Sequence, residues 1–241
     1  MAVRFLTALP VYNEVRHVGP VLDLVRQYSP DVLVVDDGST DGTSDLLAAR
    51  DDVRVVRHER NQGYGAGLKT AFHYTLEHGF DGLVTIDCDG QHQPHMIPDF
   101  VRAAADADVV SGSRYLAHFA GDSAPPAERR RINEMITAEV NNRLGLKLTD
   151  AFCGFKAYRA EALTHFDVHE LGYAMPIELW VQIVRAGLKI VELAVPLIYL
   201  EEERSFGGSL DNANIRLEYY RTVLERSLAA TPGECTAHCT N

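Results

Sequence analysis

The sequence of 241 residues predicts one α/β domain, in which a mostly parallel central sheet is flanked by helices. Short apolar runs alternate with helical segments over residues 1–115, which is the rhythm of βαβ units. Several runs are apolar at every position, as expected for strands that helices cover on both faces. Polar clusters follow three of the runs, and in such sheets ligands bind beyond the carboxyl ends of the strands.

The first half contains five predicted strands, at residues 4–9, 32–35, 53–56, 83–87 and 109–112. A helix is predicted at 18–28, because its apolar residues form one stripe and Pro20 suits a first turn. Asp41 is expected to cap a second helix. A third helix, at 63–78, opens from a turn that is rich in glycine.

The second half is less regular. Helices are predicted at 127–144, 176–186 and 210–228, and a strand interrupted by Pro196 is predicted at 190–200. Residues 229–241 have no hydrophobic periodicity, so we expect them to form a disordered tail.

Composition excludes several classes of protein. The net charge of −11 disfavours nucleic-acid binding, which needs a basic face. Four scattered cysteines form no dense framework, which indicates a reducing compartment and a cytoplasmic location. The N-terminus does not resemble a signal peptide. The longest candidate for a membrane span, at 189–200, is too short and contains Glu192, so any membrane contact is expected to be peripheral, at the inner face.

Asp87 and Asp89 form the sharpest local signal, since two carboxylates separated by one residue follow a buried strand. Such a pair can share a hard cation, and Mg²⁺ or Mn²⁺ prefers oxygen ligands. Gln91 and His92 follow closely enough to reach the metal or its ligand. The same pattern also occurs in ordinary solvated turns, so the metal site is a hypothesis at this stage.

Two further signals point to a nucleotide. Asp37 ends the second strand, where its carboxylate can accept a base N–H or a ribose hydroxyl. The glycine-rich turn at 61–67 opens a helix, and a helix N-terminus favours anions. The sequence contains neither a dinucleotide-binding fingerprint nor a P-loop.

Taken together, these motifs resemble those of family 2 glycosyltransferases, which have the GT-A (Rossmann-like) fold. The matching segments, in order, are Pro10-Val-Tyr-Asn-Glu14, 34–43, 61–71, 85–92 and 112–115. Segments at 150–156, 172–178 and 195–209 resemble the dolichyl- or polyprenyl-phosphate mannosyl- and glucosyltransferases. The resemblance spans residues 3–210. It implies inverting transfer of a hexose from a GDP-mannose or UDP-glucose type donor to polyprenyl phosphate.

The resemblance also implies residue roles within one catalytic domain at 1–228, with a nucleotide-sugar half at 1–115 and an acceptor half at 116–228. The nucleotide-sugar positions are Pro10, Tyr12, Glu14, Asp37, Asp87, Gln91 and Arg114. The implied ligands of Mg²⁺ or Mn²⁺ are Asp87, Asp89 and Gln91. Phosphate or acceptor positions are Arg130, Glu178, Arg204 and Ser209. Asp89 and Asp150 are the implied catalytic residues, and Arg114 is expected to orient Asp89.

Alternatives remain at this stage. Lys156 stands where the resembling enzymes carry arginine, and Leu210 stands where they carry a basic residue. These two differences put the lipid acceptor in question more than the donor. The protein could instead glycosylate a soluble or polysaccharide hydroxyl, in which case Asp150 would take the proton. It could also be a nucleotide-sugar-binding protein without turnover, or a nucleotidyltransferase. In the arginine run 129–131, only one side chain can face a cleft, and Glu178 could simply cap its helix.

Overall fold

The computed structural model describes residues 3–200 and 208–230. Within them, one sheet contains seven strands in the order β3-β2-β1-β4-β6-β5-β7. The strands are β1 (Phe5–Val11), β2 (Val32–Asp36), β3 (Arg54–Arg57), β4 (Gly82–Thr85), β5 (Val109–Ser113), β6 (Lys156–Arg159) and β7 (Ile190–Ala194). All neighbouring strands are parallel except β6, which is antiparallel to both β4 and β5. The predicted α/β class with a mostly parallel sheet is therefore confirmed.

The helices of the described residues are α1 (Val18–Tyr28), α2 (Thr43–Ala48), α3 (Tyr64–Glu77), α4 (Ile97–Ala103), α5 (Ala127–Leu144), α6 (Ala160–Leu163), α7 (Met175–Arg185) and α8 (Ala213–Ala229). Short 3₁₀ turns precede α4 and α8, at Pro94–Met96 and Gly208–Asp211. Among the residues described, no helix is both long and apolar enough to cross a bilayer.

Strand β2 shows how the sheet is covered. Its five residues are all buried. Leu33 and Val35 belong to the core on the face of α3, α5, α7 and α8, whereas Val32 and Val34 belong to the core beneath α1 and α4. A strand that packs helices on both faces must be apolar at successive positions, which explains the continuous run in the sequence.

The topology collects the strand ends at one edge of the sheet. Parallel pairing places Val11 opposite Asp36, and Ala8 opposite Thr85. Because β6 is antiparallel to both of its neighbours, β4 and β5 point in the same direction. The segments that follow β1, β2, β4 and β5 therefore meet at this edge, where parallel sheets bind ligands.

Some boundaries differ from those predicted. Strand β6 was not predicted, because it has four residues and a charged residue at each end. The last strand ends at Ala194 rather than at residue 200, and Pro196 follows two residues later. Gly42 is the N-cap of α2, while Asp41 accepts the N–H of Thr43 at 3.0 Å. The final helix reaches Ala229, and most of the predicted tail lies outside the described residues.

Candidate functional site

A cavity of about 710 Å³ opens at the edge where the strand ends meet. It is lined by residues from both halves of the chain. The predicted nucleotide-sugar and metal residues all line it, namely Pro10, Tyr12, Glu14, Asp37, Asp87, Asp89, Gln91 and Arg114. The structure thus brings together side chains that lie up to about a hundred residues apart in sequence.

Asp87 is held at the cavity wall from three sides. The Tyr64 hydroxyl donates to Oδ1 of Asp87 at 3.2 Å. The backbone N–H of Asp87 donates to Nδ1 of His92 at 3.1 Å. Its carboxylate also lies against Gly154, where an added β-carbon would be 2.3 Å from Oδ2. The position of this carboxylate is therefore fixed by α3, by the turn after β4 and by the segment before β6.

Asp89 lies two residues further along the same turn. The backbone N–H of Gln91 donates to Oδ1 of Asp89 at 2.9 Å, and Gly90 adopts a φ of 74° that closes the turn. Burial raises the pKa of Asp87, and the charge of Asp89 raises this pKa further. Two carboxylates that repel each other at the rim of a cavity suit a shared cation.

The donor set fits a hard divalent ion. Within residues 3–200 and 208–230, no group of three or more His, Cys, Asp or Glu side chains is arranged to hold a metal. Two carboxylates, those of Asp87 and Asp89, both line the cavity. Mg²⁺ is commonly bound in proteins by one or two carboxylates, with substrate phosphates and water completing its shell. Ligation by Gln91 stays a prediction.

Asp37 has a structural task besides lining the cavity. Its carboxylate accepts the backbone N–H groups of Gln62 and Gly63, at 3.0 and 2.8 Å. Nδ1 of His58 lies 2.6 Å from Oδ1. Asp37 thus fixes the glycine-rich turn against the end of β2. Its contact with a nucleoside stays a prediction.

At the N-terminus of α3, where the sequence indicated an anion site, two backbone N–H groups already have an acceptor within the chain. The carbonyl of Leu171 accepts the N–H groups of Gly65 and Ala66, at 2.8 and 3.3 Å. A β-carbon on Gly63 would lie 2.3 Å from the Leu171 oxygen, and one on Gly65 would lie 2.3 Å from the Glu170 oxygen. The glycines are needed because a distant segment packs on this turn, and that segment caps the helix.

Arg114 pairs with Asp150, a partner that the sequence did not indicate, and its expected orientation of Asp89 stays a prediction. Its Nε and Nη2 donate to the two carboxylate oxygens of Asp150, at 2.6 and 3.0 Å. Nδ2 of Asn133 donates to the same carboxylate at 3.0 Å. Burial by itself raises the pKa of Asp150, but the charge and hydrogen bonds of Arg114 outweigh it and bring the pKa down to about 2.

This pairing also bears on the expected catalytic role of Asp150. The residue is fully buried and does not line the cavity, whereas Arg114 does. A carboxylate with a pKa of about 2 and a two-pronged arginine partner is a poor proton acceptor. Asp150 therefore holds Arg114 in place at the cavity wall, and a catalytic role for Asp150 stays a prediction.

The arginine run at the start of α5 contributes a different residue from the one expected. Arg130 is 51% exposed and pairs with Glu134 at 2.8 Å, one helical turn away. Arg129 lines the cavity instead. The helical phase decides between them, because neighbouring residues on a helix point about 100° apart. Arg216 and Tyr220 of α8 line the same cavity, and no sequence motif had marked them.

Of the other three predicted phosphate or acceptor residues, two do not line the cavity and one lies outside the described residues. Glu178 does not line the cavity, since its carboxylate accepts the backbone N–H groups of His169 and Glu170, at 3.0 and 2.8 Å. Ser209 is exposed in the 3₁₀ turn before α8 and is also absent from the cavity wall. Arg204 lies outside the described residues.

Lys156, which differs from the basic residue of the resembling enzymes, does not line the large cavity. Its ammonium group is buried, donates to Oγ of Ser111 at 2.6 Å and lies 4.8 Å from the centre of the Trp180 ring. Burial lowers the pKa of this lysine. The side chain is therefore packed beneath the sheet edge, and it does not line the large cavity.

Comparison with known proteins assigns the family. Residues 7–166 match the model of glycosyl transferase family 2. The chain is 37% identical to an undecaprenyl-phosphate mannosyltransferase from Micrococcus luteus, and the match covers 95% of this chain and 96% of that protein. It is 34% identical to a polyprenol monophosphomannose synthase from Mycolicibacterium smegmatis, covering 91% of this chain and 86% of that protein.

Solved structures agree on the fold. Glucosyl-3-phosphoglycerate synthase from Mycobacterium tuberculosis, crystallised with Mn²⁺, UDP and glucosyl-3-phosphoglycerate, superposes with a TM-score of 0.73. That match covers 96% of this chain and 82% of the other, at 20% identity. The same enzyme crystallised with Mg²⁺ and UDP also superposes with a TM-score of 0.73, at 21% identity. The chain therefore belongs to glycosyl transferase family 2, and it is a glycosyltransferase with the GT-A fold.

Proposed function

We propose that the protein transfers a hexose from a nucleotide sugar of the GDP-mannose or UDP-glucose type to polyprenyl phosphate, with inversion at the anomeric carbon. The observation that carries this proposal is the shared cavity, which is lined by Asp87 and Asp89 and also by Arg129 and Arg216. Relatives named for undecaprenyl phosphate and polyprenol monophosphomannose support the lipid acceptor, and they favour mannose as the sugar.

In this proposal, the nucleotide-sugar half holds the donor. Pro10, Tyr12 and Asp37, at the ends of β1 and β2, bind the nucleoside. Asp87 and Asp89 hold Mg²⁺ or Mn²⁺, and the bound ion supplies charge that stabilises the departing diphosphate. Crystal structures of a protein with the same fold contain Mn²⁺ or Mg²⁺ together with UDP, which supports a divalent ion at this place.

The chemistry favours an acceptor that is already anionic. An oxygen of the acceptor phosphate attacks the anomeric carbon as the bond from that carbon to the diphosphate oxygen breaks, so no proton has to be removed. A hydroxyl acceptor would need a general base. Asp150, the carboxylate expected for that task, is buried and committed to Arg114 with a pKa of about 2. This observation argues against the alternative of a hydroxyl acceptor.

We also propose that the mouth of the cavity contacts a membrane surface. Leu116, Phe119 and Leu200 are 45%, 37% and 59% exposed. They lie on two segments that Ser123 joins, since its Oγ accepts the N–H of Tyr199 at 2.6 Å. Tyr199 itself lines the cavity. We call Leu116, Phe119 and Leu200 the apolar rim, and a polyprenyl chain that leaves the cavity would meet it.

A donor and acceptor screen tests the proposal. The protein is incubated with Mn²⁺ or Mg²⁺ and with GDP- or UDP-hexoses, with and without polyprenyl phosphate, and the released nucleoside diphosphate is measured. We expect release to require both the metal and the lipid phosphate. Transfer to a soluble hydroxyl compound, with no response to lipid phosphate, would contradict the proposed acceptor.

A further inference from the structure

We propose that Arg216 of α8 binds the phosphate group of the acceptor together with Arg129 of α5. We call the two guanidinium groups and the adjacent Tyr220 the phosphate seat. This inference rests on the proposed function, and it assigns the acceptor phosphate to a residue beyond the segment at 7–166 that matches the family model.

Arg216 is placed firmly at the cavity wall. The residue is only 3% exposed, yet it lines the cavity. Its Nη1 donates to the carbonyl of Leu210 at 2.6 Å, which anchors the guanidinium to the turn before α8. Asn212 caps the same helix by accepting the N–H of Asn214 at 3.0 Å. An arginine held in this way is pre-organised, so less conformational entropy is lost when it binds an anion.

Arg129 reaches the same place from another helix. Helices α5 and α8 are joined by an ion pair between Glu139 and Arg221. Arg129, Arg216 and Tyr220 all line the cavity. Burial raises the pKa of Tyr220 to about 12, while the charges of Arg216 and then Arg129 oppose that rise. Because both arginines line the cavity, one on Tyr220's helix and the other on the helix paired with it, we place both guanidinium groups beside one bound anion.

The charges in the cavity indicate what this anion is. The donor wall carries the carboxylates of Glu14, Asp37, Asp87 and Asp89. Arg114 also lines the cavity, and its guanidinium gives a two-pronged contact to Asp150. A phosphate monoester carries nearly two negative charges at neutral pH, and guanidinium groups match phosphate oxygens with paired hydrogen bonds. Arg129 and Arg216 thus suit the reacting group of a lipid phosphate.

The test measures the binding of the acceptor and the binding of the nucleotide sugar separately. Arg216→Gln and Arg216→Lys are assayed with a short-chain, water-soluble prenyl phosphate, and the dissociation constant of the nucleotide sugar is measured by calorimetry. We expect the Gln variant to raise the KM for the prenyl phosphate about ten- to a hundredfold, from the loss of charge-assisted hydrogen bonds. The Lys variant should show a smaller rise, and nucleotide-sugar affinity should stay unchanged in both.

Arg221→Gln is the matched control. It removes the same charge from the same helix, but Arg221 pairs with Glu139 and does not line the cavity. Its acceptor KM should equal that of the wild type. An unchanged acceptor KM in Arg216→Gln would overturn the proposal. So would a parallel loss of Tm and of affinity for both substrates, because that result indicates a purely structural arginine.

Inorganic phosphate provides a readout without turnover. Calorimetric titration of the wild type with inorganic phosphate should show binding that Arg216→Gln weakens and Arg221→Gln does not. Equal binding by the wild type and Arg216→Gln would refute the phosphate seat. Transfer by the wild type to prenyl phosphate reports separately on the proposed function, so the two ideas can fail independently.

Discussion

The carboxylate of Asp87 lies against the backbone of Gly154, so closely that a β-carbon on residue 154 would be 2.3 Å from Oδ2. Real β-carbons do not approach an oxygen so closely, and therefore the glycine is required by the position of the carboxylate. The two residues come from opposite halves of the sequence, on the turn after β4 and just before β6. This contact links the candidate metal ligand to the acceptor half of the domain.

We predict that Gly154→Ala displaces Asp87 and lowers kcat/KM for the nucleotide sugar by about a hundredfold, the cost of a misplacement of about 1 Å in an active site. Steady-state kinetics at several Mn²⁺ concentrations measure this effect. Gly19→Ala is the control, because nothing lies within 4 Å of an added β-carbon there. Wild-type kinetics in Gly154→Ala would show that Asp87 is not held at this backbone.

Asp150 provides a prediction about pH. Its pKa falls from the ordinary value of 3.8 to about 2 in the folded protein. A lowered pKa adds stability that is fully present above pH 4 and is lost as the pH falls toward 2, and a shift of this size is worth roughly 2 kcal/mol. Asp150→Asn should therefore be less stable than the wild type at pH 7, and the difference should shrink between pH 4 and 2.

Denaturant unfolding at a series of pH values measures this difference in the free energy of unfolding. The pH dependence of kcat/KM is the second readout, because we expect that Asp150 does not take a proton in the reaction. The residual activity of Asp150→Asn should keep the shape of the wild-type pH profile. Loss of an ionisation from that profile in the variant would indicate that Asp150 is a general base after all.

The glycine-rich turn gives a prediction about stability. Gly65→Ala places a β-carbon 2.3 Å from the Glu170 carbonyl oxygen, so the backbone of residues 170–171 must move. We expect a loss of about 1–3 kcal/mol, as for overpacked sites. Gly67→Ala, two residues further along α3, meets the Pro10 side chain at 3.2 Å and should cost less. Chemical denaturation compares the two variants, and equal losses would contradict the packing described here.

The apolar rim leads to a prediction about the membrane. Leu116→Asp should reduce transfer to polyprenyl phosphate in vesicles, because it places a charge where we propose that the protein meets lipid. Transfer to a short-chain prenyl phosphate in solution should not change. Leu46→Asp is the matched control, since Leu46 is also 45% exposed but lies on α2. Equal effects of the two substitutions would argue against this rim as the contact surface.

The sequence was most informative where local pattern and topology coincide. Polar clusters after apolar strands predicted that Pro10, Asp37 and Asp87 share one edge, because parallel strands end together. The structure confirms that these residues line one cavity. Arg114 was also placed correctly, since it directly follows β5.

Partners that are distant in sequence could not be predicted in this way. Arg114 and Asp150 are separated by 36 residues, and nothing in either motif indicates that they pair. Leu171 caps a helix that begins about a hundred residues earlier. The choice of Arg129 over Arg130 depends on how α5 is rotated, which tertiary packing decides rather than local spacing.

The most direct test of this account is the binding of a nucleoside diphosphate with and without Mn²⁺. Calorimetry on the wild type should show that Mn²⁺ raises the affinity for GDP or UDP about tenfold or more. Asp89→Ala should abolish this gain while its Tm stays close to that of the wild type. If Asp89→Ala keeps the full gain from Mn²⁺, the paired carboxylates do not hold the cation, and the central claim is wrong.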